Sequence, residues 1–337
     1  MIVLGIDTSC DETAAAVLSD GRSILSNVVA SQLIHSEFGG VVPEYASRAH
    51  IRTIQPVVEE ALSEAGIGYD GIEGIAVTSR PGLVGCLLVG VSFAKALAYS
   101  LDVPVVGVDH IEGHVFAVRL AEPSIPLPTV CLVVSGGHTE LILVEDWGSY
   151  RTLGRTRDDA SGEAFDKVGK LLGLSYPAGP IIEKLATGGD PTAIKFPRAM
   201  MQRGNLDFSF SGVKTAVRYR VDELEKIPEG EELADFLASF QAAVVDALVT
   251  KTMWAADAQD VPSVCLGGGV AANGPLRARF EEAAARAGLV SVVPPRKLCT
   301  DNGAVIAAVG DSLFEKGVRD DSSLTVSASR EAARARR

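Results

Sequence analysis

The sequence has few cysteines and no long uncharged run. Its five cysteines are odd in number and form no C-x-x-C pair, which argues against a disulfide framework or a zinc knuckle and favours reduced thiols. Residues 1–20 lack a basic start followed by an apolar core, so we expect a cytoplasmic protein. The uncharged run between Arg80 and Lys95 is shorter than the roughly 20 residues that span a bilayer, so no membrane-spanning helix is predicted.

Basic residues are outnumbered by acidic ones. Lys and Arg number 31 against 43 Asp and Glu, which gives a net charge of −12. Because an acidic surface repels phosphate, this composition argues against a protein that holds nucleic acid by bulk electrostatics. The 47 % of hydrophobic residues indicates a globular chain, and 337 residues suggest about two domains.

An apolar strand, a short polar turn and a second apolar strand occupy residues 2–18 and predict a β-hairpin. The arrangement recurs at residues 129–144, around Ser135-Gly136-Gly137-His138-Thr139, so we expect two related lobes. Between the hairpins the pattern alternates helices with strands, predicted at 46–65, 75–78, 83–99 and 103–108. This alternation predicts the α/β class.

A glycine-rich joint, Gly267-Gly268-Gly269, connects a predicted strand at 263–266 with a predicted helix at 273–287. Such a joint can direct backbone N–H groups at an anion or a nucleotide. It serves a tight turn at least as often, so both interpretations stay open.

His110 and His114 are four residues apart, so on a helix they differ by about 40° and share a face that can hold a metal. The alternative is that one histidine caps the helix and the other is packed in the core. Asp301, at a predicted helix start, can add an oxygen ligand, and two histidines with a carboxylate suit iron or a catalytic metal. A zinc protease is disfavoured, because Glu112 is two residues from each histidine whereas H-E-x-x-H places the glutamate directly after the first.

A second candidate segment spans residues 158–167. We predict Ser161 as a helix N-cap, with Glu163 and Asp166 three residues apart on one face. These carboxylates can bind ribose hydroxyls, but acids in a first helical turn equally complement the helix dipole.

Several short motifs follow one another along the chain: Gly5-Ile6-Asp7-Thr8-Ser9-Cys10-Asp11-Glu12-Thr13, Gly39-Gly40-Val41-Val42-Pro43-Glu44, His110 to His114, Ser135-Gly136-Gly137-His138-Thr139, Gly162-Glu163-Ala164-Phe165-Asp166-Lys167, Asp207-Phe208-Ser209-Phe210-Ser211-Gly212, Gly268-Gly269-Val270-Ala271-Ala272-Asn273 and Cys299-Thr300-Asp301-Asn302-Gly303. In this order they resemble the bacterial tRNA threonylcarbamoyladenosine transferase family over residues 1 to about 317. The resemblance implies the actin-like, sugar-kinase-like (ASKHA) fold, an α/β fold duplicated in two lobes with a cleft between them.

The resemblance also implies an acyltransferase. The family transfers the threonylcarbamoyl group of threonylcarbamoyl-AMP to the exocyclic amine of the adenosine 3′ of the anticodon, in tRNAs that read codons starting with A, and releases AMP. Alternatives are a non-catalytic, actin-like nucleotide-binding regulator of partner proteins and, least favoured, a metalloprotease.

Site residues carry over from the family's motifs one by one. The metal, Fe2+ with Zn2+ as the alternative, is assigned to His110, His114 and Asp301. The adenylate intermediate, whose cleft ATP or ADP can also occupy, is assigned to Val133, Val134, Ser135, Gly136, Gly137, Asp166, Gly179, Glu183 and Asn273. Asp11 and Glu12, at the tip of the first hairpin, are our candidates for orienting or accepting the amine proton, although hairpin-tip acids are commonly just solvated.

We expect an N-terminal lobe at 1–115 with a last helix at about 302–320 packed back on it, a C-terminal lobe at 125–301 with a helical insert at about 155–225, and a flexible tail at 321–337. The implied partners are tRNA, a paralogous actin-like subunit and a P-loop ATPase, with a threonylcarbamoyl-AMP synthase supplying the intermediate and no membrane. The apolar faces of helices 48–65 and 83–99 can supply an interface or pack into the core.

Four features depart from the family pattern or from the overall charge. Arg80 stands where a glycine is usual, and Ala178 replaces the first glycine of the usual Y-P-G-G-P. Residues 327–337 do not resemble the usual family terminus. Local basic residues oppose the acidic balance, so we expect weak, salt-sensitive tRNA binding; they are Lys195, Arg198, Arg203, Arg330, Arg334, Arg336 and Arg337.

Overall fold

The computed structural model describes residues 1–224 and 226–330, except for the side chains of Leu33, Ser36 and Glu37. The last residues of the predicted tail, 331–337, lie outside the described residues, and with them three of the basic residues named above.

The described chain forms two compact units. The first comprises residues 1–120 together with the residues from Asp301 onward, and the second is Ala121–Thr300. Each unit contains a five-stranded mixed sheet. The α/β class predicted from the sequence is therefore confirmed.

The elements follow in chain order. Those up to residue 121 are β1 (Ile2–Asp7), β2 (Glu12–Ser19), β3 (Ser23–Ser31), α1 (Pro43–Ala65), β4 (Gly74–Arg80), α2 (Val84–Leu101), β5 (Val105–Asp109) and α3 (His110–Ala121). Those that follow are β6 (Thr129–Val134), β7 (Thr139–Asp146), β8 (Ser149–Arg155), α4 (Ser161–Leu171), α5 (Ala178–Leu185), α6 (Ser211–Asp222), α7 (Gly230–Gln259), β9 (Ser263–Gly267), α8 (Gly274–Arg286), β10 (Val290–Val292), α9 (Arg296–Cys299) and α10 (Gly303–Glu315). Short 3-10 helices occupy Leu33–Phe38, Tyr69–Gly71 and Gly269–Ala272.

The two sheets repeat one topology. Their strand orders are β3-β2-β1-β4-β5 and β10-β9-β6-β7-β8. In each, a central strand pairs antiparallel with the next strand in the chain and parallel with a later one. Both predicted hairpins are therefore confirmed, and the shared topology supports their interpretation as related lobes.

Glycine allows α10 to cross the first sheet at very short range. A Cβ at Gly5 of β1 would lie 2.2 Å from the carbonyl oxygen of Gly303, the first residue of α10. A Cβ at Gly303 would in turn lie 2.5 Å from the backbone nitrogen of Ala16. This contact fixes the start of α10, and with it Asp301, against the central strands of the first unit.

One local prediction is wrong. Ser161 is the first residue of α4 rather than its N-cap, which is Ala160; the hydroxyl of Thr139 binds the Ser161 amide at 2.9 Å and replaces a side-chain cap. The strand and the helix predicted on either side of the glycine-rich joint are confirmed as β9 and α8, with a 3-10 helix at Gly269–Ala272 between them. Gly268 has φ +89°, and a Cβ there would lie 2.3 Å from the carbonyl oxygen of Val134.

Two described helices, α2 and α7, are long and apolar enough to cross a membrane by length and composition alone. Helix α2 passes this test because Lys95 is its only charged residue, so its apolar character continues beyond the uncharged run that ends at Lys95. The evidence for a span is weak, since the core helix of a soluble protein passes the same test, and 67 % of the apolar window of α7 is buried. The absence of a membrane span stays a prediction.

Candidate functional site

Helix α3 presents both histidines of the H-x-x-x-H motif on one face, as predicted. It starts immediately after β5, so His110 is its first residue and His114 lies one turn later. Both side chains are buried, and their rings meet edge to face with centroids 4.6 Å apart. Oδ1 of Asp109 accepts hydrogen bonds from the amides of Ile111 and Glu112 and caps the first turn.

Asp301 completes a cluster with the two histidines. Its Oδ1 lies 3.6 Å from Nε2 of His110 and 3.5 Å from Nε2 of His114. One ligand atom from each of the three residues lies within 4.8 Å of the others. Asp301 directly precedes Asn302, whose side chain caps α10, so the predicted position at a helix start is confirmed.

A second buried carboxylate holds the other side of the His110 ring. Oδ2 of Asp7, at the end of β1, lies 3.0 Å from Nδ1 of His110, and Asp7 is 1 % exposed. The Ser9 hydroxyl lies 3.3 Å from the same nitrogen. When the neutral ring donates its Nδ1 proton to Asp7, the Nε2 lone pair points towards Asp301, which is the tautomer that a metal ligand requires.

The electrostatics of the cluster favour charge on His110. Burial opposes the imidazolium, but Asp301 and Asp7 outweigh it and raise the pKa of His110 to about 9. Burial raises the pKa of Asp301 to about 6, with His110 acting in the opposite direction. A bound cation would take the place of the His110 proton, since imidazole ligates only in its neutral form.

The donor geometry fits a divalent metal. Two donors about 2.1 Å from one ion, at a near-tetrahedral angle, lie about 3.4 Å apart. The two Nε2 to Oδ1 distances, 3.5 and 3.6 Å, are close to that separation. Two imidazoles with one carboxylate form a donor set that leaves coordination positions open.

Asp11 and Glu12 both belong to this environment. The negative charge of Asp11 contributes to the raised pKa of Asp301. Glu12 begins β2 and accepts a 2.9 Å hydrogen bond from the Ser31 hydroxyl. Burial, with a contribution from Asp301, raises the pKa of Glu12 to about 7. A carboxyl group with such a pKa can accept a proton near neutral pH.

In the second unit, the turn after β6 is closed and backed by α4. The amide of Ser135 donates to the carbonyl of His138 at 2.8 Å, and the His138 amide donates to the Ser135 hydroxyl at 3.1 Å. The amide of Gly162, in the first turn of α4, donates to the carbonyl of Ser135 at 3.2 Å. Val133 and Val134 end β6 and are buried, so they anchor this turn rather than expose side chains.

The remaining predicted adenylate residues of this unit are joined by hydrogen bonds at the ends of helices. Asp166 accepts from the amide of Ala178, which precedes Gly179 at the start of α5. Glu183 accepts from the amide of Gly274 at 3.1 Å and from Nδ2 of Asn273 at 3.3 Å. Asn273 also caps α8 and is therefore rigidly oriented.

The predicted basic patch is largely neutralised. Arg198 pairs with Asp246 at 2.8 Å, and Arg203 pairs with Asp257 at 2.6 Å. The segment 195–203 itself contains no acidic residue, but the fold brings Asp246 and Asp257 of α7 next to its arginines. The patch therefore has less positive charge to offer phosphates than its sequence indicated.

Sequence reasoning missed two acids of the first unit. Asp7 and Asp109 end β1 and β5, which are parallel members of one sheet, so their side chains emerge at the same edge. That edge rule was a usable signal. Sequence reasoning also missed Gln241 of α7. Its Oε1 accepts a hydrogen bond from Asn273 Nδ2 at 2.8 Å, and no local pattern indicated this contact.

Comparisons with known proteins agree with this architecture. The family profile described as tRNA N6-adenosine threonylcarbamoyltransferase matches residues 23–308. Proteins of that name from Moorella thermoacetica and Bacillus subtilis are each 54 % identical to this chain, over 90 % and 95 % of it and 89 % and 92 % of their own lengths.

Solved structures share the fold at low sequence identity. Component A of the Acidaminococcus fermentans (R)-2-hydroxyglutaryl-CoA dehydratase superposes with a TM-score of 0.54 at 16 % identity, covering 92 % of this chain and 96 % of its own. HypF of T. kodakarensis gives 0.62 at 15 %, covering 94 % of this chain and 48 % of its own. This likeness concerns the fold alone and, together with the two five-stranded sheets, confirms the predicted two-lobed, actin-like α/β fold.

Proposed function

Because the chain belongs to the tRNA N6-adenosine threonylcarbamoyltransferase family of acyltransferases, we propose that it moves the threonylcarbamoyl group of threonylcarbamoyl-AMP to the adenosine 3′ of the anticodon. The tRNAs are those that read codons starting with A. The structural observation that supports this most is the His110, His114 and Asp301 cluster with Asp7 behind it.

The reaction is an acyl transfer to an amine. The exocyclic nitrogen of adenosine forms a bond to the carbamoyl carbon, the bond from that carbon to the phosphate oxygen breaks, and AMP leaves with the electron pair. The nitrogen then loses a proton. The target base lies in a single-stranded loop, where unstacking is least costly, so the enzyme has no duplex to melt.

His110, His114 and Asp301 would hold a divalent metal, for which we propose Fe2+ with Zn2+ as the alternative. When bound, the metal supplies Lewis-acid polarisation or anchoring of a phosphate or carboxylate oxygen. Asp7 orients the His110 ring through Nδ1 and keeps its Nε2 available, and the Ser9 hydroxyl adds a second contact to Nδ1.

Residues of the second unit would bind the adenylate. The Ser135-Gly136-Gly137 turn offers backbone amides that can stabilise charge developing on the transferring carbonyl. We propose that Asp166 and Glu183 bind ribose hydroxyls with the acceptor capacity that their backbone contacts leave, and that Gly179 lets the ligand pass close to α5. The Glu183 and Asn273 contact supports this, because it fixes both side chains without consuming all their hydrogen-bonding capacity.

Glu12 is the better of the two candidate bases. Its pKa, raised to about 7 by burial, makes it a stronger proton acceptor than an ordinary glutamate while leaving a large ionised fraction at neutral pH. We propose that Glu12 accepts the amine proton and that Asp11 orients the amine.

We propose tRNA as the macromolecular substrate, bound weakly by this chain alone. The pairing of Arg198 and Arg203 with α7 acids supports weak binding, because those arginines are already engaged. The affinity should fall steeply with salt, since phosphate contacts release counterions. Tight binding that ignores salt would contradict this part of the proposal.

A groove between α1 and α2 supports docking of the implied paralogous actin-like subunit. Ile51 and Leu88 line it and are 65 % and 48 % exposed, whereas Ile54 beside them is buried. The groove is open to solvent and has a volume of about 420 Å³. Part of each apolar face packs into the core, and we propose that the exposed part contacts the partner. A P-loop ATPase is the second proposed partner.

The decisive experiment reconstitutes transfer of labelled threonine to tRNA with bicarbonate, ATP, the synthase and both partners, followed by nucleoside analysis. We expect wild-type protein to form threonylcarbamoyladenosine and the His110→Ala/His114→Ala variant to lose this product. Glu282→Ala, an exposed substitution on α8, is the matched control and should retain it.

Two outcomes would change the proposal. Nucleotide binding without any modified nucleoside under complete conditions would favour a non-catalytic, actin-like regulator. Transfer unchanged in the double histidine variant would remove the metal role while leaving the acyltransferase activity in place.

A further inference from the structure

The C-terminal segment 318–330, here named the C-terminal strap, follows β5 along its length. The Asp320 amide donates to the carbonyl of Val105 at 2.9 Å, and the Asp320 carboxylate accepts from the Gly107 amide at 2.8 Å. The carbonyl of Leu324 accepts from Lys95 Nζ of α2 at 3.2 Å. The side chains of Leu324 and Val326 pack against the core of the first unit.

An irregularity in the sheet provides the next contact. The register of β4 and β5 shifts between Thr78 and Arg80, so Ser79 lies outside the regular pairing. The carbonyl of Ser79 accepts a 3.0 Å hydrogen bond from the amide of Ser327. The strap is thereby held at the carboxyl ends of β4 and β5, where α3 begins.

The strap ends on the residue that precedes the first candidate metal ligand. Nε of Arg330 lies 2.9 Å from Oδ2 of Asp109, and Nε of Arg80 lies 3.7 Å from the same oxygen. The carboxylate of Asp109 is 7 % exposed, so it depends on these cations. Its other oxygen, Oδ1, caps the first turn of α3.

These contacts join two of the features of the sequence that departed from the family pattern. Arg80 stands where glycine is usual, and Arg330 belongs to the unusual terminus, yet both meet one buried oxygen. We propose that Arg330 is a positioning residue for the candidate metal centre: the C-terminal strap, through Arg330 and Asp109, fixes the first turn of α3 and with it His110.

The physical reason is that the two oxygens of the Asp109 carboxylate have different partners. One oxygen faces the arginines and the other holds the α3 amides, so the carboxylate has a single orientation that satisfies both. Without Arg330, the carboxylate loses its hydrogen-bonded cation and can rotate towards Arg80 or solvent, which releases the cap. The start of a helix has no intrahelical partners for its amides, so the His110 turn would loosen.

This inference rests on the proposed metal site, and the test measures metal binding without tRNA or nucleotide. Full-length metal-free protein is titrated with Co2+, with the affinity taken from chelator competition and the ligand geometry from the visible absorption bands. The variants are Arg330→Gln, Asp109→Asn, their double mutant and Arg80→Gly. Arg286→Gln is the matched control, since Arg286 is exposed on α8 and pairs with Glu282 of the same helix.

Asp109→Asn separates the two roles of Asp109. Asparagine is as good a helix cap as aspartate but its amide nitrogen cannot accept from Arg330. We expect Arg330→Gln and Asp109→Asn each to weaken Co2+ binding about 3- to 10-fold, less than the roughly 10- to 100-fold typical of a direct partner of a ligand. The double mutant should be no weaker than either single one, because both remove the same contact. Arg80→Gly should have a smaller effect and Arg286→Gln none.

Three results would overturn the inference. The first is wild-type Co2+ affinity and spectrum in Arg330→Gln, even if its thermal stability falls, since that result indicates a merely structural strap. The second is additive loss in the double mutant. The third is a wild-type protein that binds no Co2+, which would overturn the metal site and the strap's role together; unchanged transfer activity in the double histidine variant separately identifies that case.

Discussion

The contact between Asp7 and His110 gives the sharpest test of the candidate metal centre. The substitution Asp7→Asn keeps the size and shape of the side chain but removes its negative charge. The wild-type hydrogen bond is 3.0 Å long, and the two side chains are 1 % and 7 % exposed, so solvent cannot replace it. The neutral amide would support the Nε2 ligand less well than a carboxylate does.

The expected magnitude follows from the position of Asp7. It contacts the ligand ring directly, and loss of such a partner typically weakens metal binding about 10- to 100-fold, or about 1.4 to 2.7 kcal/mol. Full burial places Asp7→Asn towards the upper part of this range. Co2+ titration with chelator competition at pH 7.5 measures it without reference to activity.

Asp311→Asn is the matched control for Asp7→Asn. Asp311 belongs to the same unit and its side chain is 6 % exposed, but it faces the amino terminus at 3.9 Å rather than the histidines. Its substitution should leave Co2+ affinity within about twofold of wild type. Equal affinities for Asp7→Asn and wild type, or equal losses in both variants, would refute the assignment of Asp7 as the partner that orients His110.

The pH dependence gives an independent check on the same pair. Because the folded pKa of His110 is about 9 against an ordinary 6.5, its protonation stabilises the metal-free protein below pH 6.5, and this contribution disappears as pH rises through 9. Metal must displace that proton, so Co2+ affinity should rise with pH across the same window. In Asp7→Asn the rise should level off at lower pH, because His110 loses its proton more readily; a pH-independent affinity in wild type would contradict the raised pKa.

Three further predictions concern stability. The pKa of Glu12 is about 7 in the folded protein against an ordinary 4.5, so protonation of Glu12 favours the folded state. The free energy of unfolding of the metal-free protein should therefore fall by up to about 3 kcal/mol as pH rises from 4.5 to 7. Urea unfolding of Glu12→Gln should lack this pH dependence, and the same dependence in wild type and variant would refute the prediction. Lys251 is 0 % exposed, and its ammonium donates to the carbonyls of three residues in the segment 200–207. Lys251→Met should therefore lower the free energy of unfolding by about 2 to 4 kcal/mol in denaturant titrations. A loss below about 1 kcal/mol would show that the carbonyls find other donors. Gly5→Ala should lower the free energy of unfolding by about 3 kcal/mol or more, because the new Cβ would lie 2.2 Å from the Gly303 carbonyl oxygen. Gly212→Ala is the control and should be neutral or stabilising, since a Cβ at Gly212 would have no atom within 4 Å.

Several elements of the fold were predictable because their signals are local. Both hairpins followed from apolar runs around short polar turns, and the pairing of β1 with β2 and of β6 with β7 confirms them. The start of α1 was placed three residues too late, because Pro43 at the first helical position is itself a start signal. Ser161 was misplaced as a cap, because the hydroxyl that binds its amide comes from Thr139, on another element.

The candidate site was partly predictable for the same reason. His110 and His114 share a helix face whatever surrounds them, since one turn of helix fixes their spacing. The orienting role of Asp7 was not predictable in this way, because it depends on β1 and β5 ending at the same edge of one sheet.

The sequence by itself determined the elements, the histidine pair and the family, because helical and strand periodicity and short motifs are written within a few consecutive residues. Only the tertiary structure decided the partners of charged groups. Arg203 is neutralised by Asp257 from a distant helix, and Arg80 and Arg330, far apart in the chain, meet at Asp109. A charge has no periodicity that identifies its partner, since electrostatic and hydrogen-bonding contacts are set by proximity in the folded chain.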